Sequence, residues 1–269
     1  MKTMSRPIAL WLGAACLMAG TAVAQVDGTI ITKLDGRAFT GQIKWKAVGR
    51  SYEIRLTNGP IMTVTLDKVS ALKVKAPPPG MEGLINRVRS GAGGDAIPGL
   101  EQIVKNYEML EYDLVAARWL AEAYKKADKA AEAIRVCDQV VQSRPKSALS
   151  AEFVGAYLEA LLTDRQYPKL EAEISAAIAE GGLEVAAVAQ NKRGDLKMEK
   201  KEFKEALVDG YLRTVVLFEE VKSAQPAALY KAAQCFEQLG QATYAERMRK
   251  KLLADFPQDP YSNKLKSGG

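Results

Sequence analysis

The chain of 269 residues contains no histidine. That absence removes Ser-His-Asp and Cys-His nucleophilic arrangements and the commonest transition-metal ligand. Cysteine is scarce as well: Cys16, Cys137 and Cys235 stand far apart, with none of the CxxC spacing of a redox or metal site. The glycine cluster Gly91-Ala-Gly-Gly94 follows a helix-like run and lacks a downstream Gly-Lys-Ser/Thr, so it is read as a turn and not a phosphate cradle. Carboxylates are plentiful, but Glu199, Glu202 and Glu205 alternate with Lys200, Lys201 and Lys204 at the spacing of ion pairs on a solvated helix. No catalytic constellation, cofactor site or metal site is therefore expected.

No apolar run reaches the roughly 20 residues of a membrane-spanning helix. The longest, Ile8 to Gly20, follows Lys2 and Arg6 and ends in Ala22-Val23-Ala24 before Gln25. That order of charge, apolar stretch and small residues is the pattern of a secretory leader of the bacterial type, residues 1–24. A periplasmic or secreted location follows as an expectation. Lipidation at Cys16 is the less favoured alternative, because Gly13 stands where a branched aliphatic belongs and apolar sequence continues past the cysteine.

Removing Lys2 and Arg6 with the leader lowers the net charge from +6 to +4, and the surplus is not evenly spread. Residues 25–76 hold nine Lys/Arg against four Asp/Glu, which leaves the rest close to neutral. The basic segment alternates: Phe39, Ile43 and Trp45 share one face against Lys44 and Lys46, and Tyr52, Ile54 and Leu56 oppose Glu53 and Arg55. Asp35-Gly36, Val48-Gly49 and Asn58-Gly59 mark the turns. Five short strands bury one face by curling, so a small antiparallel barrel is expected, and the run LDGRAFTGQIKW with the hairpin after it resembles Sm-like and SH3-like barrels. Such barrels often bind RNA. Here the aromatics Phe39, Trp45 and Tyr52 fall on the inward face and the leader directs the chain out of the cytoplasm, so no nucleic-acid partner is expected. Pro77 to Gly80 is read as a linker, residues 77–80.

From Met81 onward the periodicity is helical and repeats emerge. LAEAYKKADKAAEAIRVCDQVVQSRP, Leu120 to Pro145, places Leu120, Ala121, Tyr124, Ala133 and Pro145 at the spacing of a helical hairpin, and LYKAAQCFEQLGQATYAERMRKKLLADFP repeats it with Leu229, Ala233, Phe236, Gly240, Ala245 and Pro257. Both resemble tetratricopeptide repeats, in which small residues let two antiparallel helices approach and a proline ends the second. Worn copies lie between them, with Leu170 at a small-residue position and Lys197 in place of an aromatic; a partial copy centred on Ala96 precedes them. The phase-marking residues Ala96, Ala133, Leu170, Ala206 and Ala245 stand 37, 37, 36 and 39 apart, so inter-helix turns longer than those of the usual 34-residue repeat are expected. The fold class expected is thus α+β with two domains, a small N-terminal β-barrel and an all-α helical-hairpin solenoid over residues 81–269. Cys137 and Cys235 have two worn repeats between them and are expected to be buried free thiols.

The resemblance implies an interaction scaffold that presents a concave face, lined by the first helix of each repeat, to a protein or peptide in the cell envelope. Carried onto this chain, that face comprises Arg118, Glu122 and Lys125, then Glu152 and Glu159, then Asn191 and Asp195, then Tyr230, Gln234 and Glu237. The alternative is an envelope-binding module whose basic barrel holds anionic polymer or lipid headgroups while the helices act as a spacer.

Overall fold

The computed structural model describes residues 24–267; the expected leader and Cys16 lie outside them. The strands run β1 (Gln25–Thr32), β2 (Ala38–Lys46), β3 (Ser51–Leu56), β4 (Ile61–Thr65) and, after a 3-10 turn (Leu66–Lys68), β5 (Val69–Val74). They form one antiparallel sheet in the order β4-β3-β2-β1-β5, whose inner face buries Val26, Ile30, Ile43, Trp45, Tyr52, Ile54 and Val64. Phe39 packs against this cluster, so the alternation read from sequence places the aromatics inward. Gly41 permits a close approach of β2 to β3, for a Cβ there would lie 2.1 Å from the Arg55 carbonyl oxygen.

Among the described residues no ladder joins β4 to β5, so the strand pairing of the expected barrel stays open at one seam. The helical part completes the core. Met109 and Leu110, in the loop between the second and third helices, belong to the same apolar cluster as the strands, with Leu110 fully buried. Met109 and Glu111 both have positive φ (61° and 68°), where this loop turns into the sheet. The Tyr52 hydroxyl donates to the Met109 carbonyl at 2.9 Å, and Glu111 accepts from the backbone N–H of Val74 at 2.7 Å. Beneath the loop, Asp113 accepts from the Met109 amide at 2.7 Å and pairs with Arg144, both side chains at most 5% exposed. A buried ion pair contributes stability only when its spare lone pairs find donors, and here Asp113 also takes the Leu114 amide. In the expected linker Pro78 is buried and its carbonyl accepts from the Met81 amide, while Pro77, Pro79 and Gly80 are exposed.

Twelve helical segments follow among the described residues: α1 (Met81–Arg89), α2 (Gly93–Asn106), α3 (Tyr112–Lys126), α4 (Ala130–Ser143), α5 (Ala151–Thr163), α6 (Tyr167–Glu180), α7 (Leu183–Glu199), α8 (Phe203–Glu205), α9 (Leu212–Leu217), α10 (Gln225–Gln238), α11 (Ala242–Asp255) and α12 (Pro260–Ser267). A π-helical stretch (Ala206–Tyr211) joins α8 to α9, making one rod over 203–217. The result is five hairpins and a closing helix, the two worn copies included. Ala96, Ala133, Leu170, Ala206 and Ala245 are each 0% exposed, which places the phase marker of every copy at its helix-helix contact.

The turns within the hairpins are not long. Each is three residues, and its central residue is left-handed: Gly91, Asp128, Arg165, Lys201 and Gly240, with φ between 56° and 95°. The extra length resides between hairpins, as at 144–150 and 218–224. Left-handed backbone costs a residue with a Cβ about 1–2 kcal/mol, so Asp128, Arg165 and Lys201 hold the shape because helix packing on both sides fixes it.

Because Met109 and Leu110 of the helical part sit in the core of the strands, Leu110→Ala should destabilise the sheet together with its junction to the first hairpins by about 3 kcal/mol. Unfolding in denaturant, followed by far-UV circular dichroism and by tryptophan fluorescence from Trp45 and Trp119, should give coincident transitions before and after the change. Separate transitions for sheet and helices would contradict the coupling through this loop.

Candidate functional site

The first helices of the middle hairpins, α3, α5 and α7, line one side of the array. Their side chains bound an open groove of about 510 Å³. Arg118 and Glu122 come from α3, Glu152 and Glu159 from α5, and Val188 and Lys192 from α7, while Gly155 and Ala156 keep its floor low and Ser223 and Tyr261 close its far end.

Four of the ten residues expected on a concave face therefore converge: Arg118, Glu122, Glu152 and Glu159. Lys125 stands beside them, paired with Glu122 at 2.8 Å. The others lie elsewhere. Asn191 and Asp195 are buried, at 7% and 8% exposure, between α7 and the helices that follow. Asn191 donates to the Ala224 carbonyl at 2.9 Å, and Asp195 accepts from Lys231 at 2.6 Å, the Tyr211 hydroxyl at 2.7 Å and Lys192 at 3.0 Å. Tyr230 packs on Tyr261 of α12 with ring centres 5.2 Å apart, so the closing helix covers this part of α10. Gln234 is half-buried on α10, and Glu237 is exposed and ion-paired with Arg249.

Lys192, Val188, Ser223 and Tyr261 were missed. In α7, residues 185–187, 189–191 and 194–196 are all buried, so burial surrounds the helix and leaves no apolar stripe from which its orientation could be read. The four-residue spacing of Asn191 and Asp195 matches that of Val188 and Lys192, and only the latter pair faces the groove.

The cause of this burial is a close crossing. A Cβ on Gly210 would lie 2.4 Å from the Cα of Gly194, and one on Gly194 would lie 2.5 Å from the Tyr211 ring, so α7 and the π-helix touch backbone to backbone. The π-helical turn has its own supporting donor in Gln190, whose side-chain amide bonds to the Asp209 and Gly210 carbonyls. Polar groups thus hold the fourth hairpin together and tie it to the fifth, where the apolar cluster over residues 81–196 gives way to a separate one over 206–245.

Electrostatics follow from this geometry. Burial alone would raise the Asp195 carboxyl, but Lys192, Lys231 and the Tyr211 hydroxyl outweigh it and hold it below the usual carboxylate range. Burial opposes the charge on Lys192 too, and Asp195 and Glu159 overcome that and raise it. Burial, followed by the Asp195 charge, raises the Tyr211 hydroxyl. Cys137 and Cys235 are free, fully buried and pushed by burial up to about 12 and about 11, so both remain protonated thiols at neutral pH.

Residues 116–147 and 227–259 match the tetratricopeptide repeat family. These are the two stretches whose spacing is best kept in the sequence. No curated protein matches the chain. Among solved structures it is similar to the Podosopora anserina putative kinesin light chain nearly identical TPR-like repeats, at 16% identity over 65% of this chain and 92% of that one, with a TM-score of 0.47. It is also similar to MamA, at 18% identity over 68% and 95% of the two chains, with a TM-score of 0.45. Among the described residues no helix is long and apolar enough to cross a membrane.

A carboxyl depressed in the folded state stabilises the fold above its ordinary value near 4 and loses that contribution as the pH falls through its folded value. Asp195→Asn should therefore cost about 3 kcal/mol at neutral pH by leaving Lys231 without a carboxylate. The gap between wild type and variant in urea unfolding should narrow below about pH 4. A gap that persists unchanged at low pH would show that Asp195 acts by packing and not by charge.

Proposed function

We propose that the protein is an exported, non-catalytic scaffold whose groove along α3, α5 and α7 takes an extended segment of a protein partner in the cell envelope. The observation that carries this reading is the convergence of Arg118, Glu122, Glu152, Glu159 and Lys192 from three successive first helices onto one open surface. A solenoid builds such a surface by adding one helix per repeat, and a chain laid across it meets each in turn. The polar groups there suit recognition better than chemistry. Glu122 and Glu159 are held by lysines as ion pairs. The apolar leader supports export.

One observation favours the second reading, in which the sheet binds anionic envelope material. Lys44, Arg55 and Lys73 fall on the outward face of the sheet, and none has a carboxylate within ion-pair distance among the described residues. Net charge of one sign on an open face draws polyanions in a salt-dependent way.

One experiment separates the two. The chain, recovered from its own envelope with Gln25 as its first residue, is used to capture partners from that fraction as wild type, as Ala156→Trp, which fills the groove floor, and as Ala131→Trp on the exposed face of α4. Loss of the partner with Ala156→Trp alone, at unchanged melting temperature, is the result expected. Capture that survives Ala156→Trp but disappears at high salt would assign binding to the sheet and overturn the groove reading.

A further inference from the structure

Beside the groove, where Arg118 enters its wall, two cations share one aromatic ring. Trp119 on α3 lies under the Arg118 guanidinium at 3.9 Å, and Arg89, from the last turn of α1, approaches the same indole at 4.9 Å. Among the described residues neither arginine has a carboxylate within ion-pair distance, although the other cations of this side do: Lys125 holds Glu122, Lys192 holds Glu159 and Asp195, and Lys231 holds Asp195. Arg89 makes one hydrogen bond, to Asn86 at 3.2 Å. A guanidinium whose face rests on a ring keeps its in-plane N–H groups free, and that fork matches the two oxygens of a carboxylate. Two like charges brought to one indole repel each other until an anion joins them.

The next helix carries the complementary feature. Glu152, at the start of α5, is exposed and unpaired among the described residues, and it lies near enough to Arg118 to influence its charge. A uniform polyanion reaching the arginines would therefore run against Glu152 and Glu159. A chain of alternating charge would not. We propose that the Arg89–Trp119–Arg118 stack is a carboxylate subsite of the groove, and that the segment it receives is an extended peptide bearing Asp or Glu at the stack and Lys or Arg at Glu152. This rests on the groove being the binding surface and adds the chemistry of what binds.

The test is fluorescence anisotropy with the chain from Gln25 onward and labelled Ala/Ser peptides carrying one Glu and one Lys a few residues apart, Glu alone, Lys alone, or Glu throughout. The mixed peptide should bind tightest and the all-Glu peptide more weakly. Arg89→Gln and Arg118→Gln should each weaken the mixed peptide about tenfold, the loss of one charge-assisted hydrogen bond, and abolish the advantage of Glu. Glu152→Gln should abolish the advantage of Lys, and Arg118→Lys, which keeps charge but not the fork, should restore binding in part. Lys44→Gln with Lys73→Gln on the sheet should change nothing, and melting curves confirm that each variant is folded. Equal binding of all peptides, tightest binding of the all-Glu peptide, or arginine variants without effect would overturn the assignment. If that happens while Ala156→Trp still abolishes partner capture, the groove stands and only the subsite falls; if Ala156→Trp leaves capture intact, the groove reading itself fails.

Discussion

Everything in the helical part depends on two helices approaching closely at one point per repeat while the chain reverses in three residues. Ala96, Ala133, Ala206 and Ala245 make the approach possible by being small, and Gly91 and Gly240 make the first and last reversals at little steric cost. Where the sequence departs from this, packing overrides local preference. Lys201 and Arg165 are left-handed although their side chains disfavour it, and Leu170 is fully buried at a position small residues fill elsewhere. Tyrosines then tie hairpin to hairpin: Tyr124 donates to Glu101 and Tyr157 to Asp138, each at 2.6 Å and each reaching the second helix of the preceding repeat. Regular spacing of these ties sets the first helices side by side, and the groove is their common surface.

The same logic shows which parts of the fold could be read from residues alone. Strand alternation placed Trp45, Tyr52 and Ile54 inward, and the recurring phase marker located all five hairpins, because both are local periodicities. The closure of the sheet was not legible. Met109 and Leu110 are ordinary loop residues by sequence, and what makes them core is a pairing with strands more than forty positions away, secured by Tyr52 and by the Asp113–Arg144 ion pair. The groove was legible on α3 and α5, where a clear apolar stripe fixes the outward face. On α7 it was not, since polar residues that pattern reading assigns to solvent, Asn191 and Asp195, are consumed in a buried joint. Tyr230 was lost for a different reason, the return of α12 across α10.

That joint divides the array physically. Up to Leu196 the helices share one apolar cluster, and beyond Ala206 they share another. Between them stand a π-helical turn, a glycine-to-glycine crossing and the Asp195 network. Satisfied buried polar groups specify one geometry, since any other leaves charges unpaired. Lys192 belongs to both worlds: it pairs with Asp195 in the joint and with Glu159 on the groove, so the orientation of α7 and the charge pattern offered to a partner are set by the same side chain.

The central claim is that a partner lies along the first helices. The most direct measurement places a photo-crosslinking residue at Val188, in the groove wall on α7, and at Ala131, on the exposed face of α4, and analyses the adducts formed in the cells that make the protein. The account predicts one defined adduct from position 188 and none from position 131. Adducts from position 131 alone would contradict it.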